Sequence, residues 1–570
     1  MASVIGFRVL PFFVSNSENK YGSRVQVRSL GDADAKVLSS DSVVVNGTSI
    51  GGERGKGGTS IDQGNGHLRP KVEEKRRVKD EALETLKPLW NDGYGTETVR
   101  DFFDMAKDIV KHDGGPPRWF CPISCGRPLK DSPILLFLPG MDGTGLGLVL
   151  HHKALGKTIV RCQYEFCITP FCCQGFDDII PRDTLLWKLK LLKSAAAYAN
   201  SRLHAIKAEV LVLASGKDNM LPSRDEAERL KNSLQDCVVR HFKDNGHTLL
   251  LEDGIGLMTV IKGTSKFRRS RRHSYASDFL PPSMTELNYA CDQIIRLLRL
   301  ASGSILFSTL EDGKIVKGLA GVPNEGPVIL VGYHMLMGVE LSSLAEGFLR
   351  EKNIMVRGLA HPTLFSRTAE SSSSDFSLTD WMRVFGAVPV TPSNLFKLLS
   401  TKSHVLLYPG GSREALHYKG EEYKLFWPDQ QEFVRMAARF GATIVPFGVV
   451  GEDDVAELVL DYNDLMRIPV VNDLVKDANE NAIRLRDEAS GEVASQKLFI
   501  PLLMPKIPGR FYYLFGKPIK TKGREDILKD KQAANQLYLQ VKSEVERQIS
   551  FLIKKRQEDP YRTLNNGFER

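Results

Sequence analysis

The second half of the chain alternates short apolar runs with stretches in which apolar residues recur every three to four positions. GPVILVGYH (326–334), HVLLYPGG (404–411) and GATIVPFGVVGE (441–452) are apolar runs ending in glycine, proline or polar residues. That is the pattern of strands running into loops. Between them, LSSLAEGFLRE (341–351), NLFKLLST (394–401) and QQEFVRMAARFG (430–441) carry helical spacing. Strands alternating with helices predict an α/β domain, placed at 302–558. Its charged tail, 530–558, reads as a docking helix.

The first half is less regular. Leu83, Leu86, Leu89, Val99, Phe102, Phe103, Ala106, Ile109 and Val110 keep helical spacing, and Ile134–Leu138 is an apolar run stopped by Pro-Gly. AEVLVLASGKD (208–218) reads as a buried strand ending in a loop acid, and LLWKLKLLKSAAAYA (185–199) has the composition of a helix. Between the two strands, RCQYEFCITPFCCQGF (161–176) has no clear period.

The 570 residues allow about two to four domains. The hydrophobic fraction is 42% and the charged fraction 26%, ordinary values for globular protein. No stretch reaches the roughly 18 apolar residues that a membrane-spanning helix needs, so contact with lipid is expected to be peripheral. The net charge of +8 is unevenly spread, and its clearest cluster is Lys266, Arg268, Arg269, Arg271, Arg272 and His273. A solvated loop accounts for this cluster; attraction to anionic lipid or an acidic acyl carrier is the functional alternative. No aromatic platform or recognition motif points to nucleic acid. The eight cysteines, four of them at Cys162, Cys167, Cys172 and Cys173, show no paired CxxC spacing. They read as free thiols, and no metal or cofactor site is expected.

The first 30 residues hold Arg8, Lys20, Arg24 and Arg28 against one acid, Glu18, with no long apolar core. This is the composition of an organelle transit peptide, and the Met-Ala-Ser start favours a plastid. The following Gly-, Ser- and charge-rich residues have too little apolar surface to offset ordering entropy. Residues 1–80 are therefore expected to be transit peptide and disordered linker.

LFLPGMDGTG resembles the oxyanion loop of α/β-hydrolases. Gly140, Gly143 and Gly145, with Asp142 among them, would turn backbone N–H groups toward a developing oxyanion. Asp218 after a strand and His247 in DNGHTLLLED follow in that fold's acid-then-histidine order. The nucleophile is missing, because no serine occurs from Gly140 through Lys193. The interval from Pro139 to Glu209 is also too short for about three strand–helix units of roughly 30 residues each. The literal G-x-S-x-G match, Gly47 to Gly51, precedes the oxyanion loop and has no helix after it, so a linker is the better reading. Residues 83–298 are thus expected to be an incomplete α/β-hydrolase-like domain.

The candidate chemistry of the second half centres on His334. Acyl transfer to an alcohol needs a base to take the hydroxyl proton as oxygen attacks the acyl carbonyl, and histidine suits that task near neutral pH. Glu340, six residues on, is a candidate to hold the other ring nitrogen. In YPGGSREAL, Gly410 and Gly411 permit a turn with exposed N–H groups. Arg413 and Glu414 follow, as candidates for binding the acyl donor or a head group.

In order and spacing these features resemble lipid acyltransferases of the diacylglycerol and glycerol-phosphate acyltransferase type. The resemblance implies a glycerol-phosphate-acyltransferase-like α/β domain. The usual pattern places Asp five positions after His; here that position is Val339, and Glu340 follows. The whole arrangement, with LFLPGMDGTG, GYHMLMGVE, PGGSREAL and EFVRMAARFGATIVPFG, resembles the plant phytyl ester synthases. That resemblance implies acyl transfer from acyl-CoA, acyl carrier protein or galactolipid to phytol or diacylglycerol, at chloroplast plastoglobules. A serine esterase or lipase and an inactive lipid-binding protein of plastid lipid bodies are the alternatives.

Overall fold

The computed structural model describes most of residues 200–562 and shorter segments before them: 93–95, 98, 100–101, 118–120, 134–137, 146–151, 153–155, 161–166 and 182–200. Residues 1–80, most of the expected helix over 83–112, Gly140, Asp142, Gly143, Gly145, Cys167, Cys172 and Cys173 lie outside the described residues.

The described part of the first half does not build one sheet. β1 (Arg118–Phe120), β2 (Ile134–Phe137) and β3 (Arg161–Phe166) form a three-stranded sheet in the order β1-β3-β2. β4 (Val210–Ser215) and β5 (Cys237–Phe242) form a separate parallel pair. The expected helix is present as α1 (Arg182–Asn200), and Trp187 and Tyr198 on it are exposed. A helix, Ser223–Ser233, joins β4 to β5, and after β5 come α2 (Leu257–Gly263) and α3 (Met284–Ile294), the latter started by a capping box of Ser283 and Glu286.

The second half is an α/β domain around a nine-stranded sheet. Its strands are β6 (Ser302–Thr309), β7 (Ile315–Lys317), β8 (Val328–Gly332), β9 (Val356–Ala360), β10 (Val388–Pro389), β11 (His404–Leu407), β12 (Thr443–Val450), β15 (Gly509–Phe515) and β16 (Ile519–Lys520). β13 (Ala456–Leu460) and β14 (Leu502–Pro505) pair with each other outside it. The main order is β10-β9-β11-β8-β12-β15-β6-β7, with β16 against β12. β10, β9, β11, β8 and β12 run parallel, and β15 enters antiparallel to β12. All five residues of β8 are buried, as its uninterrupted apolar run requires.

Helices lie on the connections between these strands. α4 (Leu341–Lys352) lies between β8 and β9, α5 (Leu378–Val384) between β9 and β10, and α6 (Glu432–Phe440) between β11 and β12. The charged tail is α7 (Lys531–Gln557), which docks on its own domain. Ala534, Leu537, Tyr538, Val541, Val545, Ile549 and Leu552 recur at three- and four-residue steps and are buried in the core of the sheet. The halves also share a core, in which Phe242, Val260, Leu287 and Ala290 pack with Phe376, Trp381 and Phe385. Across that contact the fully buried guanidinium of Arg240 donates to Asp380 Oδ1 at 2.9 Å. Among the described residues no helix is long and apolar enough to cross a membrane.

Candidate active site

β8 is parallel to both neighbours and delivers Tyr333 and His334 to its carboxyl end. The chain then turns back through two successive left-handed residues, Met337 at φ 55° and Gly338 at φ 68°. That turn sets Glu340 at the start of α4, with its carboxylate Oε1 3.1 Å from His334 Nδ1. Glu340 is fully buried, whereas the His334 side chain keeps 18% exposure. With the Nδ1 proton donated to the carboxylate, the neutral ring carries its lone pair on Nε2, the nitrogen left for a substrate. The start of a helix favours a negative charge there. The expected His334–Glu340 pair is thus brought together despite the six-residue spacing. Gly338 is part of the reason: a Cβ at that position would sit 3.1 Å from His334 Cε1 and 2.8 Å from Leu341 Cδ1.

Three groups that the sequence pattern does not single out hold this loop. The Tyr408 ring stacks on the His334 ring, with centroids 4.1 Å apart and planes 18° from parallel. Burial, then the Glu340 charge, raises the Tyr408 hydroxyl well above its ordinary pKa and keeps it protonated. The Tyr513 hydroxyl donates to the Glu340 main-chain oxygen at 2.8 Å. At the end of β12, Glu452 accepts the Tyr333 hydroxyl at 2.8 Å and the Leu336 N–H at 2.7 Å. It therefore grips the chain on both sides of His334.

Gly410 caps a short helix, Gly411–Ala415, that follows β11 and contains Arg413 and Glu414, and the Gly411 N–H donates to the Tyr408 main-chain oxygen at 3.1 Å, so these residues point to different tasks. Glu414 is fully buried and accepts the His334 N–H at 3.0 Å and the Phe426 N–H at 2.9 Å. Gly410 makes room for it, since a Cβ there would fall 2.1 Å from Glu414 Cδ. Arg413 is paired with Glu421 through two 2.8 Å hydrogen bonds, and its guanidinium lies over the Phe426 ring at 3.9 Å. Arg413 and Glu414 do not pair with each other, and both are largely buried.

Burial pushes the Glu414 and Glu452 carboxyl groups up to about 8, and the Glu340 charge adds to both shifts. Each group then binds its proton more tightly in the folded than in the unfolded chain. Its contribution to stability is full below the ordinary carboxyl value and is lost as pH rises toward 8. The unfolding temperature of the chain is expected to fall between pH 5 and pH 8.5. Glu452→Gln can still accept from Leu336, and it should make that fall shallower. An equally steep fall in Glu452→Gln, monitored by circular dichroism, would remove Glu452 as a cause.

The second candidate pair also forms. His247 Nδ1 lies 3.0 Å and 3.1 Å from the two Asp218 oxygens, and the Asp218 carboxylate also accepts from Ser223 and from the Met220 and Leu221 N–H groups. These bonds, that from Ser223 foremost, hold the Asp218 carboxyl below its usual range. Among the described residues no serine or cysteine hydrogen-bonds the His247 ring. In the basic cluster, Lys266 pairs with Asp236 at 2.8 Å and Arg268 with Glu209 at 3.2 Å; Arg269, Arg271 and Arg272 lie outside the described residues. Among the described residues no group of His, Cys, Asp and Glu could hold a metal ion.

A base fixed by a buried carboxylate, at the end of a parallel strand and under a Pro-Gly-Gly turn, fits transfer chemistry on a hydroxyl group. Residues 372–479 match the family described as Diacylglycerol acyltransferase. The chain is 51% identical, over 630 aligned positions, to Phytyl ester synthase 1, chloroplastic, of Arabidopsis thaliana, covering 88% of this chain and 89% of that one. It is 40% identical over 596 positions to Phytyl ester synthase 2, chloroplastic, of the same plant, covering 82% and 85%. Human 2-acylglycerol O-acyltransferase 3 is 35% identical over 82 residues, 14% of this chain and 24% of that one. The protein is an acyltransferase of the diacylglycerol acyltransferase type. Within that class the chain belongs to the phytyl ester synthase family.

Proposed function

We propose that this chain transfers a fatty acyl group to the hydroxyl of phytol or diacylglycerol, with His334 as the base. The observation that carries the reading is the bond between His334 Nδ1 and buried Glu340, which leaves Nε2 as the acceptor. Nε2 takes the hydroxyl proton while the oxygen attacks the acyl carbonyl. The imidazolium so formed faces the Glu340 carboxylate. As the tetrahedral adduct collapses, the C–O bond of the ester remains, the bond to the donor breaks, and the proton returns to the leaving group. Acyl-CoA, acyl carrier protein and galactolipid are the candidate donors. The Gly410–Gly411 turn, rather than the paired Arg413 and buried Glu414, is the part we assign to the donor or its head group. The names of the two plant relatives and the basic, acid-poor first 30 residues support a chloroplast site, which we place at the surface of plastoglobules. An assay offering phytol and diacylglycerol with several acyl donors tests the reading, because no ester product from any pair would refute it.

The persisting Asp218–His247 pair makes a serine hydrolase the second reading. Histidine activates a nucleophile only within hydrogen-bond reach, about 2.6–3.2 Å, and no described residue supplies one. The alignments to the two relatives run to 630 and 596 positions, longer than the 570-residue chain, so this chain lacks segments that they have. We assign such a loss to the interval between Pro139 and Glu209, within a hydrolase-like remnant at 83–298 that precedes the transfer domain at 302–558. His247→Ala should then leave acyl-CoA-dependent transfer within about two-fold of the unmutated protein. Galactolipid hydrolysis that disappears in His247→Ala, measured as free fatty acid, would reverse this assignment.

A further inference from the structure

The carboxyl end of α7 meets the catalytic loop through a short chain of hydrogen bonds. In its last turn the largely buried Arg556 grips Asp453, just past β12, through Nη1 at 2.6 Å and Nη2 at 2.9 Å. Nη1 also donates to the Tyr423 hydroxyl at 3.2 Å. That hydroxyl donates to Asp453 and accepts the Gly451 N–H at 3.0 Å. The Tyr423 N–H in turn donates to the Tyr333 hydroxyl at 3.1 Å, and Tyr333 donates to Glu452, which also holds the Leu336 N–H. The path therefore runs from the end of α7 to both flanks of His334. We propose that Arg556 and Tyr423 are positioning residues for the transfer reaction, setting the His334 loop through Tyr333 and Glu452.

Backbone geometry is the first reason. Tyr423 stands at φ 66°, in the left-handed region. A bulky side chain rarely takes that conformation, and it persists where surrounding contacts over-determine it. Here Asp453, Arg556 and Gly451 fix the hydroxyl, so the N–H is aimed at Tyr333. The second reason is the shape of the ion pair. Two parallel N–H donors meeting one carboxylate fix direction as well as distance. They hold Asp453, and with it the adjacent Glu452, in place. The third is burial. Tyr333 is fully buried, so its hydroxyl cannot turn to water if Tyr423 withdraws, and the loss falls on its bond with Glu452. Arg562 offers a contrast. It hydrogen-bonds Asp454 at 2.8 Å and touches neither Asp453 nor Tyr423 by a hydrogen bond. It staples the same end of the chain without joining the path.

The proposal rests on the acyl-transfer reading of His334, and one arm of its test is independent of turnover. Arg556→Gln, Tyr423→Phe and the control Arg562→Gln are made in the full-length protein. Amide hydrogen exchange by mass spectrometry follows residues 333–340, with β11 as the internal reference, and kcat and KM are measured in the ester-forming assay. In Arg556→Gln and Tyr423→Phe, exchange over 333–340 should speed up about ten-fold while β11 keeps its rate. In the same two variants kcat should fall about ten-fold or more, with KM within about two-fold, because a misplaced base slows the chemical step and leaves binding intact. Arg562→Gln should match the unmutated protein in both measurements. Unchanged exchange over 333–340 in both variants overturns the proposal. So does faster exchange shared by β11, an equal loss in Arg562→Gln, or a kcat that stays within about two-fold although the loop has loosened. If the unmutated protein makes no ester, the acyl-transfer reading fails, and the exchange arm still decides whether Arg556 and Tyr423 hold the loop.

Discussion

Replacing His334 by alanine is expected to lower acyl transfer by about 10² to 10⁴ fold, the usual range for loss of a general base. The ring is one of the more accessible parts of the loop, at 18% exposure, and packs on one face against Tyr408. Its removal also takes the ring partner from the fully buried Glu340 carboxylate, so the unfolding temperature should fall, and the rates are compared at a temperature where circular dichroism shows the variant folded. Glu340→Gln should cost less, since that residue orients the ring and faces the imidazolium without touching the substrate. Turnover of folded His334→Ala within ten-fold of the unmutated rate, in the same ester-forming assay, would exclude this mechanism.

The second large effect is on stability. Arg240, on β5, and Asp380, on α5, form an ion pair with exposures of 0% and 1%. Burial raises the Asp380 carboxyl, and the Arg240 charge is the first influence that opposes it. Asp380 also closes the capping box of α5 with Ser377. Arg240→Ala strands that carboxylate inside the shared core, and breaking one partner of a buried pair costs about 3–5 kcal/mol. The expected outcome is a large drop in the denaturant midpoint of unfolding. A double variant, Arg240→Met with Asp380→Asn, should recover much of the loss by removing both charges. A midpoint unchanged in Arg240→Ala would show that the first half does not brace the transfer domain through this pair.

Much of the sheet around the site was legible from β8, β11 and β12, because strands buried on both faces must be apolar throughout. β9 was not, because its VRGLA run contains Arg357. That buried guanidinium donates to the main-chain oxygens of Gly386, Ala276 and Tyr275, partners that no local pattern announces. β6 and β15 were also missed: the first has serine at alternate positions and the second is aromatic-rich, and they become one sheet only by parallel pairing across some two hundred residues. His334 and Glu340 could be read because they are close in sequence. Tyr408, Glu452 and Tyr513 could not, since nothing in a single sequence says which distant side chains fold back onto a loop. Arg413 shows the reverse error of emphasis. An arginine after two glycines looks available for a phosphate, yet Glu421, eight residues on, takes both edges of its guanidinium.

The most direct test of the central claim is product formation by the purified, full-length protein. It is incubated with phytol and with diacylglycerol, each with a labelled fatty acyl-CoA, and the products are separated by thin-layer chromatography. The geometry predicts labelled phytyl ester or triacylglycerol in the unmutated protein and neither in His334→Ala. Labelled free fatty acid with no ester, released equally by both proteins, would contradict it.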